Sequence, residues 1–410
     1  MHQYPPSRVG GTELHTQMVS RGMARLGHGV AVFHREDGSG VGSDCRDDDG
    51  IRVWRAWSGT PTAGQRALST LRDPPIQRSF ERVLDQEQPD VVHVQHLIGL
   101  PSTVIGSIQQ RGIPFVITLH DYWWVCINAQ LLTNYDQKLC AGPRAHINCA
   151  RCALARAGTS LLWPAIPSLA ALLAWRGEQL RRALLRARKL IAPSTFVRNW
   201  YAAHGIPGQG IEVMPHGVQG REDARLPRRK GAAVLFAYIG GLAWQKGVHV
   251  LLDAFSGVAG LSELWVAGDE SIDPVYVARL RSKAPQNVRF LGALARERVW
   301  DVLSQVDALV VPSLWHETFS LIVHEAFAAG VPVLASAVGA LNEAVRDGVN
   351  GLLVPRGDVT AWRLALQRLV EAPERIERLR ANVRPPPSFE EYVHRLESLY
   401  RDGLRTTGVN

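Results

Sequence analysis

The sequence lacks the features that mark membrane-spanning and secreted proteins. None of its apolar runs reaches about 18 residues, so we expect no membrane-spanning helix. Its first residues are polar and rich in proline, unlike a secretory signal peptide of the usual form. Five cysteines cannot all pair as disulfides, and four of them lie between residues 126 and 152. We therefore expect a cytoplasmic protein in which the clustered cysteines are metal ligands or free thiols.

Acidic residues are fewer than basic ones, with 38 Asp and Glu against 46 Lys and Arg, which gives a formal net charge of +8. A basic excess suits anionic ligands such as nucleotide diphosphates, acidic lipid headgroups or nucleic acid. The chain also lacks the interleaved basic and aromatic residues and the motifs of nucleic-acid-binding proteins. We therefore expect no nucleic-acid partner.

Short apolar runs alternate with helical stretches along all 410 residues. The strands predicted from these runs are 29–34, 51–55, 90–96, 114–120, 189–194, 211–217, 233–240, 263–269, 287–293, 307–313, 332–336 and 351–355. Runs that are apolar throughout and separated by helices predict parallel sheets covered on both faces. The length suggests two domains, so the fold class is α/β with two Rossmann-like domains.

The predicted boundaries follow the composition. Residues 1–219 form the first domain, with an unusually long connection at 122–190, and 220–231, "GREDARLPRRKG", form a linker. Residues 232–385 form the second domain, and 386–410 form a last helical segment. In sheets of this kind ligands bind beyond the carboxyl ends of the strands, so residues at those ends are the first candidates for function.

The most informative stretch is "HETFSLIVHEAFAAGVPVLAS", which follows the predicted strand 307–313. We expect a helix from about Ser320, with Glu317 in the loop before it and Glu325 two turns along it. The amides at the helix N-terminus could bind an anion such as a diphosphate. These amides belong to Thr318, Phe319, Ser320 and Leu321. The pattern alone leaves a second interpretation open, in which Glu317 is only a cap and Glu325 only a solvated side chain.

This stretch resembles the donor-site motif of the retaining glycosyltransferases of family 4, which have the GT-B fold. The flanking segments "GGLAWQKGVHVLLDAF", "VRFLGAL", "VDALVVPSLWHETF" and "GVNGLLVP" occur in the order expected for that family. The resemblance implies two Rossmann-like domains facing a central cleft, with the final helix crossing back to the first domain. It implies transfer of a sugar from a nucleotide-diphosphate donor to a hydroxyl of a glycan, a glycolipid or lipid-linked acceptor, or a small molecule. No cofactor would be required for catalysis.

The resemblance also implies roles for particular residues. Glu317 would contact the donor sugar, Glu325 the nucleotide ribose and Lys246 the diphosphate. In the first domain His120, at the end of the strand in "VITLHDYWW", would lie beside the donor sugar and act in catalysis. The other interpretation of His120 is a histidine that caps the strand or bonds to Asp121.

The start of the chain, "MHQYPPSRVGGTE", corresponds in this resemblance to the loop after the first strand of the first domain. Gly10 and Gly11 would let the backbone approach the donor, with a helix from about Thr12 directed at it. No strand precedes this loop, so we expect the first domain to lack its first strand, and a truncated or mis-assigned start is the preferred explanation. The alternative is that another segment takes that place in the sheet.

One position departs from the family pattern. Gly241 stands where many members have an arginine, so one of the two usual phosphate-binding cations is absent. Two alternatives therefore stay open beside the transferase: a nucleotide-sugar epimerase of the GT-B fold, and a subunit that is catalytically weak or inactive.

The long connection in the first domain carries further candidates. Cys126, Cys140, Cys149 and Cys152 could hold a structural zinc ion or an iron–sulfur cluster, or they could be unliganded thiols. Cys45 lies outside this cluster. Trp123 and Trp124 are interpreted either as a sugar-stacking surface or as core residues.

The segment 160–189 of the same connection is apolar in its first half and rich in arginine in its second. Such a helix could lie peripherally on the inner face of an anionic membrane. The alternative is a helix that packs on its own domain with a solvated basic face.

Overall fold

The structure is a computed structural model that describes residues 1, 3–5, 10–60, 69–220 and 233–405. Within these ranges the chain divides into two compact units, one of Met1–Pro215 with Glu390–Asn410 and one of His216–Phe389. The last helical segment therefore belongs with the first unit. The predicted linker at 220–231 lies almost wholly outside the described residues.

The first unit contains two sheets. Its strands are β1 (Ala31–Arg35), β2 (Val41–Asp48), β3 (Ile51–Ser58), β4 (Val92–Val94), β5 (Phe115–Thr118), β6 (Lys189–Ala192) and β7 (Ile211–Val213). One sheet has the order β1-β3-β2 and the other the order β4-β5-β6-β7. All pairs are parallel except β2 with β3. The sequence analysis did not predict β2, because "VGSDCRDD" is polar and its side chains are mostly exposed.

Residues of β1 and β4 line one cavity of ≈ 480 Å³ in this unit, although the two strands belong to different sheets. Each strand pairs on one side only within the described chain, β1 with β3 and β4 with β5. The expectation that the first domain lacks its first strand concerns the start of the chain, and it stays a prediction.

Helices cover both sheets of the first unit. They are α1 (Gly11–Arg25), α2 (Pro74–Glu87), α3 (Val104–Gln110), α4 (Ile147–Arg156), α5 (Ile166–Arg186), α6 (Thr195–Ala203) and α14 (Phe389–Arg405). Asp73 begins α2 by accepting a hydrogen bond from the amide of Ile76, and Ser194 begins α6 in the same way. None of the helices among the described residues is long and apolar enough to cross a membrane.

The second unit is built on one parallel sheet of six strands. They are β8 (Val234–Ile239), β9 (Ser262–Ala267), β10 (Val288–Gly292), β11 (Ala308–Val311), β12 (Val333–Ser336) and β13 (Gly351–Val354). Its helices are α7 (Val248–Phe255), α8 (Pro274–Lys283), α9 (Arg296–Gln305), α10 (Leu321–Ala328), α11 (Leu341–Ala344), α12 (Val359–Glu371) and α13 (Glu374–Ala381). Each strand contains an apolar run predicted from the sequence, because strands buried on both faces must be apolar throughout.

The strand order of this sheet is β10-β9-β8-β11-β12-β13. Counted from β8 this is the doubly wound order 3-2-1-4-5-6 of a Rossmann fold, and the order reverses between β8 and β11. Connections leave these two neighbouring strands in opposite directions and open a crevice beyond their carboxyl ends. The loops that follow β8 and β11 are therefore where a ligand is expected.

Candidate functional site

The loops after β8 and β11 meet at the reversal point of the second sheet. The first loop ends in a short 3₁₀ turn, Trp244–Lys246, and the amide of Leu314 in the second donates a hydrogen bond of 2.8 Å to the carbonyl of Gln245. The two motifs singled out in the sequence, "QKG" and "HETF", are thus brought into direct contact.

Glu317 is buried at the centre of this contact and has three hydrogen-bond donors on one oxygen. Lys246 Nζ lies 2.8 Å, Ser313 Oγ 2.6 Å and Trp315 Nε1 2.8 Å from Glu317 Oε1. Burial alone would raise the pKa of Glu317, but Lys246 and these hydrogen bonds outweigh it and lower the pKa. Glu317 is therefore an ionised carboxylate inside the protein. The contributions of Ser313 and Trp315 were not predicted, because neither residue has a distinguishing pattern in the sequence.

Lys246 owes its position to the glycine that follows it. Gly247 has φ 74°, and a Cβ there would lie 1.9 Å from the carbonyl oxygen of Pro312. Only glycine fits a left-handed conformation so close to another backbone. The lysine ammonium also lies 5.0 Å from the centroid of the Trp315 ring, within cation–π range.

The helix after Glu317 begins one residue later than expected. Ser320 has φ 67°, and α10 starts at Leu321, so Glu325 lies about one turn along the helix and the prediction of two turns was wrong. Among the described residues, no hydrogen bond engages the amides of Phe319, Ser320 and Leu321. Phe319 is buried, and its ring stacks on His324 with the centroids 3.8 Å apart.

Glu325 is buried and paired with Arg296, the first residue of α9. The interpretation of Glu325 as a solvated helix residue is therefore wrong. The sequence analysis did not single out Arg296, because an arginine at the start of a helix has no distinguishing pattern.

Gly241 stands in the loop after β8 with room for a side chain. An added Cβ would meet only Ile272 Cδ1, at 3.5 Å, which is ordinary van der Waals contact. The structure does not require glycine at this position, in contrast to Gly247.

In the first unit Gly10 and Gly11 lie at the N-terminus of α1, and both are exposed. The helix begins at Gly11, close to the expected start at Thr12, while residues 6–9 of the preceding loop lie outside the described residues. Glu13, buried in the first turn, has its carboxylate 2.6 Å from where a Cβ of Gly10 would be. Burial raises the pKa of Glu13, against hydrogen bonds from the Glu13 and Gly10 amides.

His120 lies two residues beyond the end of β5 and is buried. Its Nε2 atom is 2.6 Å from Gln95 Oε1, and its ring packs edge-on against His15. The carboxylate of Asp121 is instead held by His96, at 2.8 Å from Nε2. The partner of His120 at Nε2 is therefore Gln95, while Asp121 bonds to His96 and to the amide of Trp123.

Trp123 and Trp124 are core residues. They are 3% and 2% exposed, and they pack edge-to-face against each other. A sugar-stacking surface needs an exposed ring face, so that interpretation is wrong for both.

The four clustered cysteines are reduced in the structure, and all four sulfur atoms act electrostatically on one another. Burial, followed by the three other thiols, raises the pKa of Cys149 to about 12. Cys45 is exposed on β2, away from this cluster.

Comparison with known protein families accounts for both units. Residues 9–219 match the family model described as Glycosyltransferase Family 4, which is more than half of the chain. The chain belongs to glycosyltransferase family 4. Residues 233–372 also match the model described as Glycosyl transferases group 1.

Related proteins agree with this membership over nearly the whole length. The glycogen synthase of Mycobacterium tuberculosis is 26% identical over 389 residues, covering 92% of this chain and 86% of the relative. The sucrose-phosphate synthase of Thermosynechococcus elongatus has a TM-score of 0.69 at 19% identity, covering 97% and 94% of the two chains. The Anabaena protein HepE in complex with UDP-glucose has a TM-score of 0.63 at 16% identity, covering 98% and 97%.

The family 4 protein therefore has the GT-B fold and is a nucleotide-sugar-dependent glycosyltransferase. These matches favour glycosyl transfer over the epimerase and the inactive subunit.

Proposed function

We propose that this glycosyltransferase moves a sugar, with retention of its anomeric configuration, from a nucleoside diphosphate to a hydroxyl of a glycan, a lipid-linked acceptor or a small molecule. The observation that supports a site in the second unit is the asymmetry of Glu317. Its Oε1 atom receives three hydrogen bonds, and within the described residues its Oε2 atom receives none. A buried, ionised oxygen with free lone pairs is suited to accept a hydroxyl proton of the donor sugar.

The diphosphate would lie between Lys246 and the start of α10. An ammonium has three donors, and Glu317 occupies one of those of Lys246. The amides of Phe319, Ser320 and Leu321 add donors and the positive end of the helix dipole. Negative charge grows on the diphosphate as the glycosidic bond breaks, so these groups stabilise the transition state more than the bound donor.

The other candidate residues follow from this arrangement. Glu325 would accept the ribose hydroxyls, with Arg296 fixing its carboxylate. In the first unit Gly10 and Gly11 would approach the donor, and His120, oriented by Gln95, would act beside the donor sugar. The acceptor hydroxyl would pass its proton to the departing diphosphate oxygen on the same face, so no protein nucleophile or catalytic metal is required.

UDP-glucose is the first donor to test, because the structurally similar HepE is described as its complex. GDP- and ADP-glucose complete the panel. The measurement is donor hydrolysis and transfer with the wild type, with Glu317→Gln and with Lys246→Met. Glu371→Gln is the control, since Glu371 is an exposed glutamate on α12 of the same unit.

We expect Glu317→Gln to lower kcat by about 10²-fold or more, because its oxygen can keep the three hydrogen bonds but an NH₂ group then replaces Oε2 and cannot accept the sugar hydroxyl. Lys246→Met should weaken UDP binding in calorimetry as well as turnover. Equal activity of Glu317→Gln and Glu371→Gln would rule out the proposed role of the carboxylate. Wild-type binding of a donor without hydrolysis or transfer would instead favour an inactive subunit.

We also propose that α5 contacts an anionic membrane surface peripherally, at the inner face of the membrane. Trp163, in the 3₁₀ turn just before α5, and Trp175, on α5, are 54% and 50% exposed, which is unusual for tryptophan. Leu172, Trp175, Arg182 and Arg186 are spaced three, seven and four residues apart and share one face of α5. Aromatic and aliphatic side chains beside arginines suit the headgroup region of acidic lipids.

Flotation with vesicles of phosphatidylcholine alone and with added phosphatidylglycerol tests this contact. We expect binding only to the anionic vesicles, and its loss in Trp163→Ser/Trp175→Ser. Arg298→Ser, at an exposed arginine of the second unit, should bind like the wild type. Equal binding by the double variant would contradict the contact.

A further inference from the structure

Four cysteines of the first unit come together from three separate pieces of chain. Cys126 closes the turn after β5, where its amide bonds to the carbonyl of Tyr122. Cys140 follows a small two-stranded pairing of Leu132 with Leu139. Cys149 and Cys152 lie on α4, three residues apart and so on one face of the helix.

We propose that Cys126, Cys140, Cys149 and Cys152 bind one zinc ion as a structural centre. Zinc prefers four ligands in a tetrahedron, and thiolates are among its commonest ligands in such sites. On binding, each thiol loses its proton to solvent and its sulfur forms a bond to the metal, so the centre carries a net charge of about −2. A closed shell of four sulfurs leaves no position for substrate.

Hydrogen-bond donors are already directed at three of the four sulfurs. Burial raises the pKa of Cys126, and the backbone amides of Leu131, Asn128 and Gln130 oppose that rise. The sulfur of Cys152 accepts from Asn128 Nδ2 at 2.9 Å and from the Asn134 amide at 3.3 Å. Donors of this kind stabilise thiolate over thiol, as the partners of metal ligands do in metal sites.

Cys140 has the same kind of surroundings. Its sulfur accepts from the amide of Gly142, two residues further on, at 3.4 Å, and from Asn148 Nδ2 at 3.6 Å. Asn148 directly precedes Cys149, so one of these donors comes from the segment of another cysteine.

A buried arginine beside the cluster needs a negative partner. Arg176 is 5% exposed, donates to the carbonyl of Trp123 at 3.1 Å and lies against the Trp123 ring. Within the part of the chain that the structure describes, no carboxylate lies within 4.0 Å of it. Burial lowers the pKa of Arg176 to about 10, and Cys126 and Cys149 are, when ionised, the groups that oppose this most. An anionic zinc–thiolate centre supplies the counter-charge that a buried guanidinium requires.

The sulfurs are near one another but not yet at coordination distance. Among the described residues, no three of the four sulfur atoms all lie within 4.8 Å of one another. Zinc–sulfur bonds of about 2.3 Å place tetrahedral sulfurs about 3.8 Å apart. Cys126, Cys140 and Cys149 are half-buried, and metal binding would require their side chains to rotate towards a common centre.

The centre would fix the chain that carries part of the proposed active site. Cys126 is six residues beyond His120 in the loop 121–131, so this loop connects His120 directly to the cluster. The test of this centre is independent of the proposed function, because it measures metal content and not glycosyl transfer.

The test is the metal content of the full-length protein purified anaerobically, by plasma mass spectrometry and native mass spectrometry. We expect one zinc per chain in the wild type and in Cys45→Ser, whose cysteine is exposed and distant. Cys149→Ser and Cys152→Ser should each lower the zinc content at least tenfold. No metal in the wild type, iron in place of zinc, or unchanged zinc in both variants would overturn the proposal.

A second measurement covers variants that fail to fold. In the wild type, thiol titration without denaturant should detect one reactive cysteine, Cys45, and additional reactive thiols of the cluster after a strong chelator is added. Cobalt added to the chelated protein should give the visible ligand-field absorption of a tetrahedral thiolate site. Five reactive thiols before chelation, or no such absorption, would count against the centre.

Discussion

At the scale of single residues, the loop after β8 contains one cation, Lys246. A diphosphate bound there would carry at least two negative charges. Gly241 does not have a left-handed backbone conformation, and a Cβ there meets only Ile272. We expect Gly241→Arg to fold normally and to bind UDP roughly tenfold more tightly, because a charge-assisted hydrogen bond contributes about 1.5–3 kcal/mol.

Calorimetry with UDP checks this expectation. Gly210→Arg adds the same charge to an exposed glycine of the first unit and serves as the control. If both variants bind UDP like the wild type, the loop after β8 does not face the diphosphate.

A second residue-scale prediction concerns Glu325 and Arg296. Glu325 is 2% exposed, so removing its cation leaves a buried carboxylate without its ion-pair partner. We expect Arg296→Met to lower the free energy of unfolding by about 1–3 kcal/mol. Because Arg296 is partly exposed, this loss of stability is smaller than the loss expected for a fully buried ion pair.

Urea unfolding measures the change. Arg298→Met, on the same helix but 71% exposed, should cost much less. The double variant Arg296→Met/Glu325→Gln should recover part of the loss, since the stranded charge is then gone. Additive losses would show that the pair does not interact.

At the scale of elements, α14 belongs to the first unit although it ends the chain. Tyr392 hydroxyl lies 3.1 Å from His15 Nε2, and Tyr400 hydroxyl 2.5 Å from His93 Nδ1. The apolar face of α14 is buried, and Leu396 is fully inaccessible to solvent. The helix therefore contributes core contacts and polar anchors to α1 and β4.

Truncating Leu396 should weaken the first unit measurably. We expect Leu396→Ala to lower its free energy of unfolding by about 2–5 kcal/mol, the range for a buried leucine. Leu364→Ala, at a half-exposed leucine of α12, is the matched control. Hydrogen exchange measures amide protection separately in the two units. If Leu396→Ala loses protection only within α14, the helix does not share a core with the rest of the first unit.

Sequence reasoning performs well for strands that are buried on both faces and poorly elsewhere. All six strands of the second sheet were predicted, because each is a continuous apolar run. The polar β2 was missed, and the predicted ends of β4 and β7 were too long, because the boundary of a strand depends on pairing partners far away in the chain.

The same limit applies to the site. Glu317, Glu325 and Lys246 were predicted from a motif and a resemblance, yet their partners Ser313, Trp315 and Arg296 were not. Trp123 and Trp124 show the opposite case, in which an adjacent aromatic pair allows two interpretations and only burial decides. Contacts between distant segments carry no local pattern, so only the folded chain identifies them.

At the scale of the whole molecule, buried histidines make stability depend on pH. Burial lowers the pKa of His34 to about 4 and of His15 to about 3, from 6.5 in the unfolded chain. The folded protein keeps both rings neutral, whereas the unfolded chain binds protons below pH 6.5. The contribution of the two histidines to stability is therefore complete above pH 6.5. It is lost as the pH falls towards their pKa values in the folded protein.

We expect the free energy of unfolding to fall between about pH 6.5 and 4.5, with His34 alone contributing about 1.4 kcal/mol per pH unit. His34→Asn should reduce that slope by this amount, because asparagine does not titrate while its amide can replace Nδ1. His394→Asn, at a histidine 64% exposed, should keep the wild-type slope. Urea unfolding at several pH values gives the slopes, and this window lies above the range in which most carboxylates titrate. Identical slopes for the wild type and His34→Asn would show that His34 is protonated in the folded protein.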